Sequence, residues 1–265
     1  VTGTMPRWMA PLAVLAATVV LLPIVATVAR LDWSRLPELL TAPAALDALG
    51  LSLATAAIST CLCLMLGLPL GYALATWRSR FKPAVRALVL APLVLPPVVG
   101  GLALLYAFGR RGLLGGALED AGLSLAFTTA AVVVAQTFVA MPFMVLATES
   151  ALGAQAGHHE ALAGTLGASR STTLWHVTLP ALRPALITGT VLAFARALGE
   201  FGATLTFAGS MPGVTRTLPL EIYLQRETDA DAAVALAVLL VAVAVTVVAL
   251  AYRPLSARTP AGAGR

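Results

Sequence analysis

Residues Ala232–Tyr252 read AAVALAVLLVAVAVTVVALAY, a run without a charged side chain. About 20 such residues, wound as a helix, reach across the hydrocarbon core of a bilayer. Working outward, five further segments meet the same test: Met9–Ala29, Leu49–Trp77, Ala84–Phe108, Leu123–Thr148 and Leu182–Ala208. The runs at 49–77 and 182–208 are long enough to tilt or to extend beyond the bilayer. Strands of this length are implausible, and the alternation of a membrane barrel is missing. The expected fold is all-α, a polytopic membrane protein with six transmembrane helices in a single domain spanning 1–265.

Composition agrees with this. Of 265 residues, 59% are hydrophobic and 11% charged, with mean hydropathy +0.90. Soluble domains carry roughly 25% charged residues, because a wetted surface needs them. The net charge of +5 and pI near 9.9 do not point to nucleic acid, since the basic residues are thinly spread and form no block. The N-terminal run follows Arg7 and exceeds the 7–15 apolar residues of a signal-peptide core, so it is expected to be retained as a span.

Basic residues set the orientation. With the N-terminus inside, ten fall on the cytoplasmic side: Arg7, the group Arg78, Arg80, Lys82 and Arg86, then Arg170, Arg183, Arg253, Arg258 and Arg265. Six fall outside (Arg30, Arg35, Arg110, Arg111, Arg216 and Arg226), and Arg196 lies within a span. Glu149 and Glu160 are the two inside acids, against nine outside. Both termini are therefore expected in the cytoplasm.

Proline and glycine interrupt the spans at Gly67–Gly71, Leu95–Gly101 and Met141–Pro142. Each break removes a ladder hydrogen bond, which lipid tolerates only where protein or water satisfies the freed carbonyl. Such breaks mark either a moving pathway or kinks that aid packing. Cys61 and Cys63 point to nearly opposite helix faces, which leaves them as small packing residues.

Enzymatic motifs fail. There is no Gly-x-x-x-x-Gly-Lys loop, and the sole lysine, Lys82, precedes Pro83, so the chain is not expected to hold nucleotide phosphates. His159-Glu160 starts like a zinc-protease helix, but Ala163 occupies the second histidine position. His158, His159 and His176 then read as solvated surface. No nucleophile elbow or intramembrane carboxylate pair appears. Neither a metal, a cofactor nor catalysis is expected in this chain.

Two segments carry more. The loop 149–181 contains Glu160-Ala-Leu-Ala-Gly-Thr-Leu-Gly167, then Trp175-His-Val-Thr-Leu179-Pro180. Its Ala/Leu-rich first part forms a helix that Gly167 can end, and Pro180 stands before the next span. Leu162, Leu166, Leu174 and Trp175 are poorly used in a plain wetted loop. The next span holds Arg196 and Glu200, four residues apart, where an ionisable group costs about 2.5–3.5 kcal/mol to insert. They either pair with each other or reach other helices, since Arg before Glu is the weaker order within one helix. They serve either a pathway or a structural tie.

The loop resembles the one that marks permease subunits of ATP-binding-cassette importers, the binding-protein-dependent inner-membrane components: a Glu-Ala-Ala run, a later Gly, then Leu-Pro. Here Glu160, Ala161 and Gly167 match, Leu162 departs, and Leu179-Pro180 closes the pattern. The span Phe194–Thr204, with Arg196-Ala-Leu-Gly199-Glu200-Phe201-Gly202, is similar to oxyanion permeases of the sulfate and molybdate kind. Thr204–Gly209 and Thr215-Arg216-Thr217-Leu-Pro219-Leu-Glu221-Ile-Tyr223 resemble the molybdate type more than the sulfate or thiosulfate type. The likeness runs from about residue 50 to 252.

That resemblance implies a type I importer permease in a prokaryotic plasma membrane, the inner membrane where there are two. It moves molybdate, and tungstate with it, driven by a separate ATPase dimer that binds ATP and Mg. A second copy of the chain and an extracytoplasmic binding protein complete the machine. The implied coupling residues are Glu160, Ala161, Gly167, Leu179 and Pro180; the implied pathway residues are Arg196, Glu200 and Thr204. An ion-coupled secondary transporter, with Glu200 as its proton site, is the rival from another class.

Overall fold

The computed structural model of the chain describes residues 6–155, 163 and 165–256, the side chains of 155 and 252–256 excepted. Helix α1, Met9–Ala29, is apolar on every side and buries no residue, as a lipid-facing span must. After α2 (Leu36–Thr41), helix α3 (Pro43–Leu62) continues through a π-helical turn at Cys63–Gly67 into α4, Leu68–Thr76. The widened turn lies just ahead of Pro69, whose ring would crowd the carbonyl four residues earlier in a regular helix. The interruption at Gly67–Gly71 is thus absorbed, and Pro43–Thr76 is one continuous apolar element.

The stretch 84–108, expected as one span, is divided. Helix α5 (Lys82–Leu90) and a 3-10 turn at Ala91–Leu93 meet α6 (Pro97–Phe108) at 113°. Pro96 and Pro97 cause the break: Pro96 is extended and Pro97 opens α6, where a missing N–H is harmless. A short α7, Gly115–Asp120, follows. The fourth span begins later than expected, as α8, Thr129–Gln155, and Pro142 sits inside it without ending it. The expected loop 149–181 is therefore partly helical at both its ends.

Helix α9 (Arg170–Thr173) is capped by Ser169, whose hydroxyl accepts the Thr172 amide. A second π-helical turn, Leu174–Thr178, precedes Pro180 and leads into α10, Leu179–Leu198. The two Leu-Pro pairs, 68–69 and 179–180, share this local solution. The expected span 182–208 is also broken, because α10 stops at Leu198 and α11, Gly202–Ala208, starts after Gly199–Phe201. Helices α12 (Leu218–Thr228) and α13 (Ala230–Ser256) are the last of the described elements. By length and composition the described residues hold five candidate spans, or six with the bent α5–α6 pair as one.

Helix α8 is the central post, touching α3, α4, α10 and α11. Small residues let the backbones approach, the usual currency of packing in lipid. A Cβ on Gly71 would lie 2.8 Å from the Thr148 Cβ, and one on Gly67 3.0 Å from the Met144 Cβ, so both glycines face α8. Gly189 of α10 meets Ala147 of α8 in the same manner. Polar pins join the helices too: Ser59 donates to the Val133 carbonyl at 3.0 Å, and the Leu218 amide donates to Ser52 at 2.6 Å.

Candidate functional site

The broken spans come together. Helix α6 packs on α11, with a Cβ on Gly202 reaching within 2.6 Å of Pro97 and one on Gly101 within 2.6 Å of Thr206. At this junction Glu200 is 1% exposed, yet fully engaged. Its Oε2 pairs with Arg196 Nη1, and its Oε1 accepts the Ala203 amide at 2.8 Å. The carboxylate therefore sits at the N-terminus of α11 while the guanidinium lies in the last turn of α10, each at the helix end whose dipole favours it. The break at Gly199 turns an unfavourable order along one helix into a favourable one across two.

Thr204 is completely buried, and its Oγ1 has no hydrogen-bond partner among the described residues. It is adjacent to the pair's helix end but is not bonded to it. The structure thus unites Arg196 and Glu200 and places Thr204 one turn on, in the packed side of α11.

On the opposite end of the chain's path, Gly167 takes φ +81 and the Ala168 amide donates to the Ala163 carbonyl at 3.0 Å, the closing bond of a left-handed helix end. Leu166 beside it is 88% exposed and Trp175 64%. Leu179 and Pro180 begin α10, two residues before the fully buried Leu182. Glu160 and Ala161 lie outside the described residues. Gly167 and the Leu179-Pro180 pair therefore flank a helical lead into the span that carries Arg196 in its last turn.

Three polar arrangements escaped the sequence reading. Arg86 of α5 pairs with Glu149 of α8 at 2.8 Å, tying the bent pair to the C-terminal part of the central helix. An inside acid opposite an inside basic cluster was the available signal. Arg216 reaches buried Glu221 at 3.4 Å, and Gln225 donates to the same carboxylate at 2.7 Å. Arg35 bridges Asp229 and Asp231, both at 3.1 Å, joining the start of α2 to the start of α13. Partners 194 and 196 residues away cannot be read from spacing. Among the described residues no cluster of His, Cys, Asp and Glu is arranged to hold a metal.

Residues 67–259 match the family described as binding-protein-dependent transport system inner membrane component. The chain is 57% identical over 225 residues to the molybdenum transport system permease proteins ModB of Mycobacterium bovis and Mycobacterium tuberculosis, covering 85% of each chain. It is 40% identical to the ModB of Azotobacter vinelandii over 179 residues, 67% of this chain and 79% of that one. Among solved structures, a chain of a bacterial alginate ABC transporter superposes with a TM-score of 0.72 at 16% identity, covering 94% of this chain and 95% of the other. A chain of the MetNI methionine ABC transporter, in an inward-facing form, does so with a TM-score of 0.64 at 20% identity, covering 81% and 96%.

Proposed function

Because this chain belongs to the binding-protein-dependent transport system inner membrane component family, we propose that it is the membrane-spanning permease subunit of an importer that brings molybdate into a prokaryotic cell. The observation that carries the substrate is the 57% identity to molybdenum permeases across 85% of both chains. Tungstate, with the same charge and nearly the same size, travels the same route.

In this reading a separate ATPase dimer supplies the energy, and an extracytoplasmic binding protein supplies the anion to a pore made by two copies of the chain. The single permease domain spans 1–265, and ATP and Mg belong to the ATPase. Force enters at Glu160, Ala161 and Gly167 and passes through Leu179-Pro180 into α10. The exposed Leu166 and Trp175 support this, since an uncovered apolar surface at a helix end suits a docking partner. From α10 the push arrives at Arg196–Glu200, where the junction of the two broken spans supplies a place for the pathway to change. Thr204, buried one turn on in α11, is the third member of that gate and would meet the anion only when the junction opens.

The geometry disfavours an ion-coupled carrier with Glu200 as the proton site. That carboxylate is already balanced by Arg196 and by the Ala203 amide. The deciding experiment is uptake of labelled molybdate and sulfate by a strain lacking the gene, with and without depletion of ATP. Molybdate uptake alone should be lost in the deletion and should need ATP. Loss of sulfate uptake with molybdate uptake intact would overturn the substrate, and uptake driven by a proton gradient without ATP would overturn the class.

A further inference from the structure

The segment between α6 and α8 is folded back on the end of α6. The Leu113 and Leu114 amides donate to the carbonyls of Tyr106 and Ala107, both at 2.9 Å. A Cβ on Gly115 would fall 2.1 Å from the Gly109 carbonyl oxygen, and one on Gly112 2.6 Å from that of Tyr106, so only glycine permits this turn. Phe127 closes the segment at φ +63, the single non-glycine residue with positive φ among those described. A bulky side chain held in that conformation is a stored strain of the kind found at ligand clamps. Its amide reaches the Phe207 carbonyl at 3.3 Å, and its ring lies against Gly209.

This turn borders an open-sided cavity of about 590 Å3, lined by Leu105, Tyr106, Arg110, Arg111, Ser124 and Phe127. The wall is apolar and aromatic, yet it carries two arginines. Arg110 is engaged by Glu119 in an exposed pair at 2.9 Å. Arg111 has no carboxylate partner among the described residues. The cavity sits in the connection between α6 and α8, where a chain passing from one apolar span to the next must leave the bilayer core. Tyr106 is 70% exposed and Leu113 92%, as side chains at that boundary are. The count of basic residues places this boundary on the outer side.

We propose that this cavity is a binding site for an anionic phospholipid of the outer leaflet. The phosphate meets Arg111, the first methylenes lie along Leu105 and Phe127, and Tyr106 borders the headgroup. A small free dianion would leave the apolar wall unused. A lipid matches both halves of the site, the cation and the greasy wall.

The full chain, purified in mild detergent, is titrated with phosphatidylglycerol and with phosphatidylcholine of equal acyl length, and bound lipid is counted by native mass spectrometry. Phosphatidylglycerol should bind more tightly than phosphatidylcholine, and Arg111→Gln should weaken it about fivefold, the worth of one arginine near a charged headgroup. Phosphatidylcholine binding should not change. Arg111→Lys, which keeps the charge, should retain the preference, and so should Arg78→Gln on the other side of the membrane. Equal binding of the two lipids, or an equal loss with Arg78→Gln, overturns the proposal. It also falls if a glutamate-rich peptide binds more tightly than phosphatidylglycerol in an Arg111-dependent way, because the face then belongs to an acidic protein.

Discussion

Glu200 and Arg196 meet across the end of a helix: the arginine lies in the last turn of α10, and the glutamate stands beyond it with its other oxygen on the Ala203 amide of α11. The pair therefore staples two helices at the point where they part. Removing one member of a buried pair leaves the other charge uncompensated, which costs about 3–5 kcal/mol. Arg196→Gln strands the 1%-exposed carboxylate and should suffer that loss. Glu200→Gln keeps an acceptor for Ala203 and strands only a guanidinium that is 29% exposed, so it should lose less. Unfolding midpoints in detergent check the order; equal losses would dismiss this account of the junction.

The close approach of α6 and α11 rests on Gly101. Its added Cβ would lie 2.6 Å from the Thr206 Cβ and 2.9 Å from the Ala203 carbonyl oxygen, and neither can move far. Gly101→Ala should destabilise by about 1–3 kcal/mol and slow molybdate uptake. Gly50→Ala is the matched control, since nothing lies within 4 Å of its added Cβ. That change should stabilise by about 0.4–1 kcal/mol, through the entropy of the unfolded chain.

Gly167 has open space around it, so a side chain there is opposed by its backbone at φ +81 rather than by a clash. Gly167→Ala should cost about 1–2 kcal/mol at the helix end. Gly167→Trp should abolish uptake while the chain still inserts and purifies normally. Membrane fractionation beside a transport assay separates the two effects, and normal transport by Gly167→Trp would remove this residue from the coupling route.

Acid should loosen the outer tie between α2 and α13. The Ala232 amide, with Arg35 and the Asp231 amide behind it, holds the Asp229 carboxyl below its ordinary 3.8. Asp32 is lowered as well, chiefly by the Ser34 hydroxyl. The folded values are depressed, so the unfolded chain binds more protons in this range and stability rises with pH. The contribution is fully present above 3.8 and is lost as pH falls through the folded value. Protection from hydrogen exchange at the start of α13, taken relative to the intrinsic rate at each pH, should therefore fall below that pH, and Asp229→Asn should flatten the dependence. An unchanged profile in the variant would remove Asp229 as the cause.

What the sequence by itself determined was the solvent. Apolar runs of bilayer length make six crossings or near-crossings unavoidable, and Pro180, Pro97 and Gly167 announce helix starts and stops through sterics that act over a few residues. Local chemistry also marked Arg196 and Glu200, because ionisable groups in such a run need a reason. Tertiary structure decided the rest. Whether a proline is absorbed by a π-helical turn, as before Pro69, or opens a bend of 113°, as at Pro97, depends on what packs against it. The partner of Glu200 was legible as a choice between neighbours, and the break at Gly199 made the choice by placing both charges at favourable dipole ends. Arg86 with Glu149, and Arg35 with Asp229, were settled by helices that meet only after folding. Periodicity and propensity are short-ranged, whereas ion pairs across a bundle depend on which faces the packing of small residues brings together.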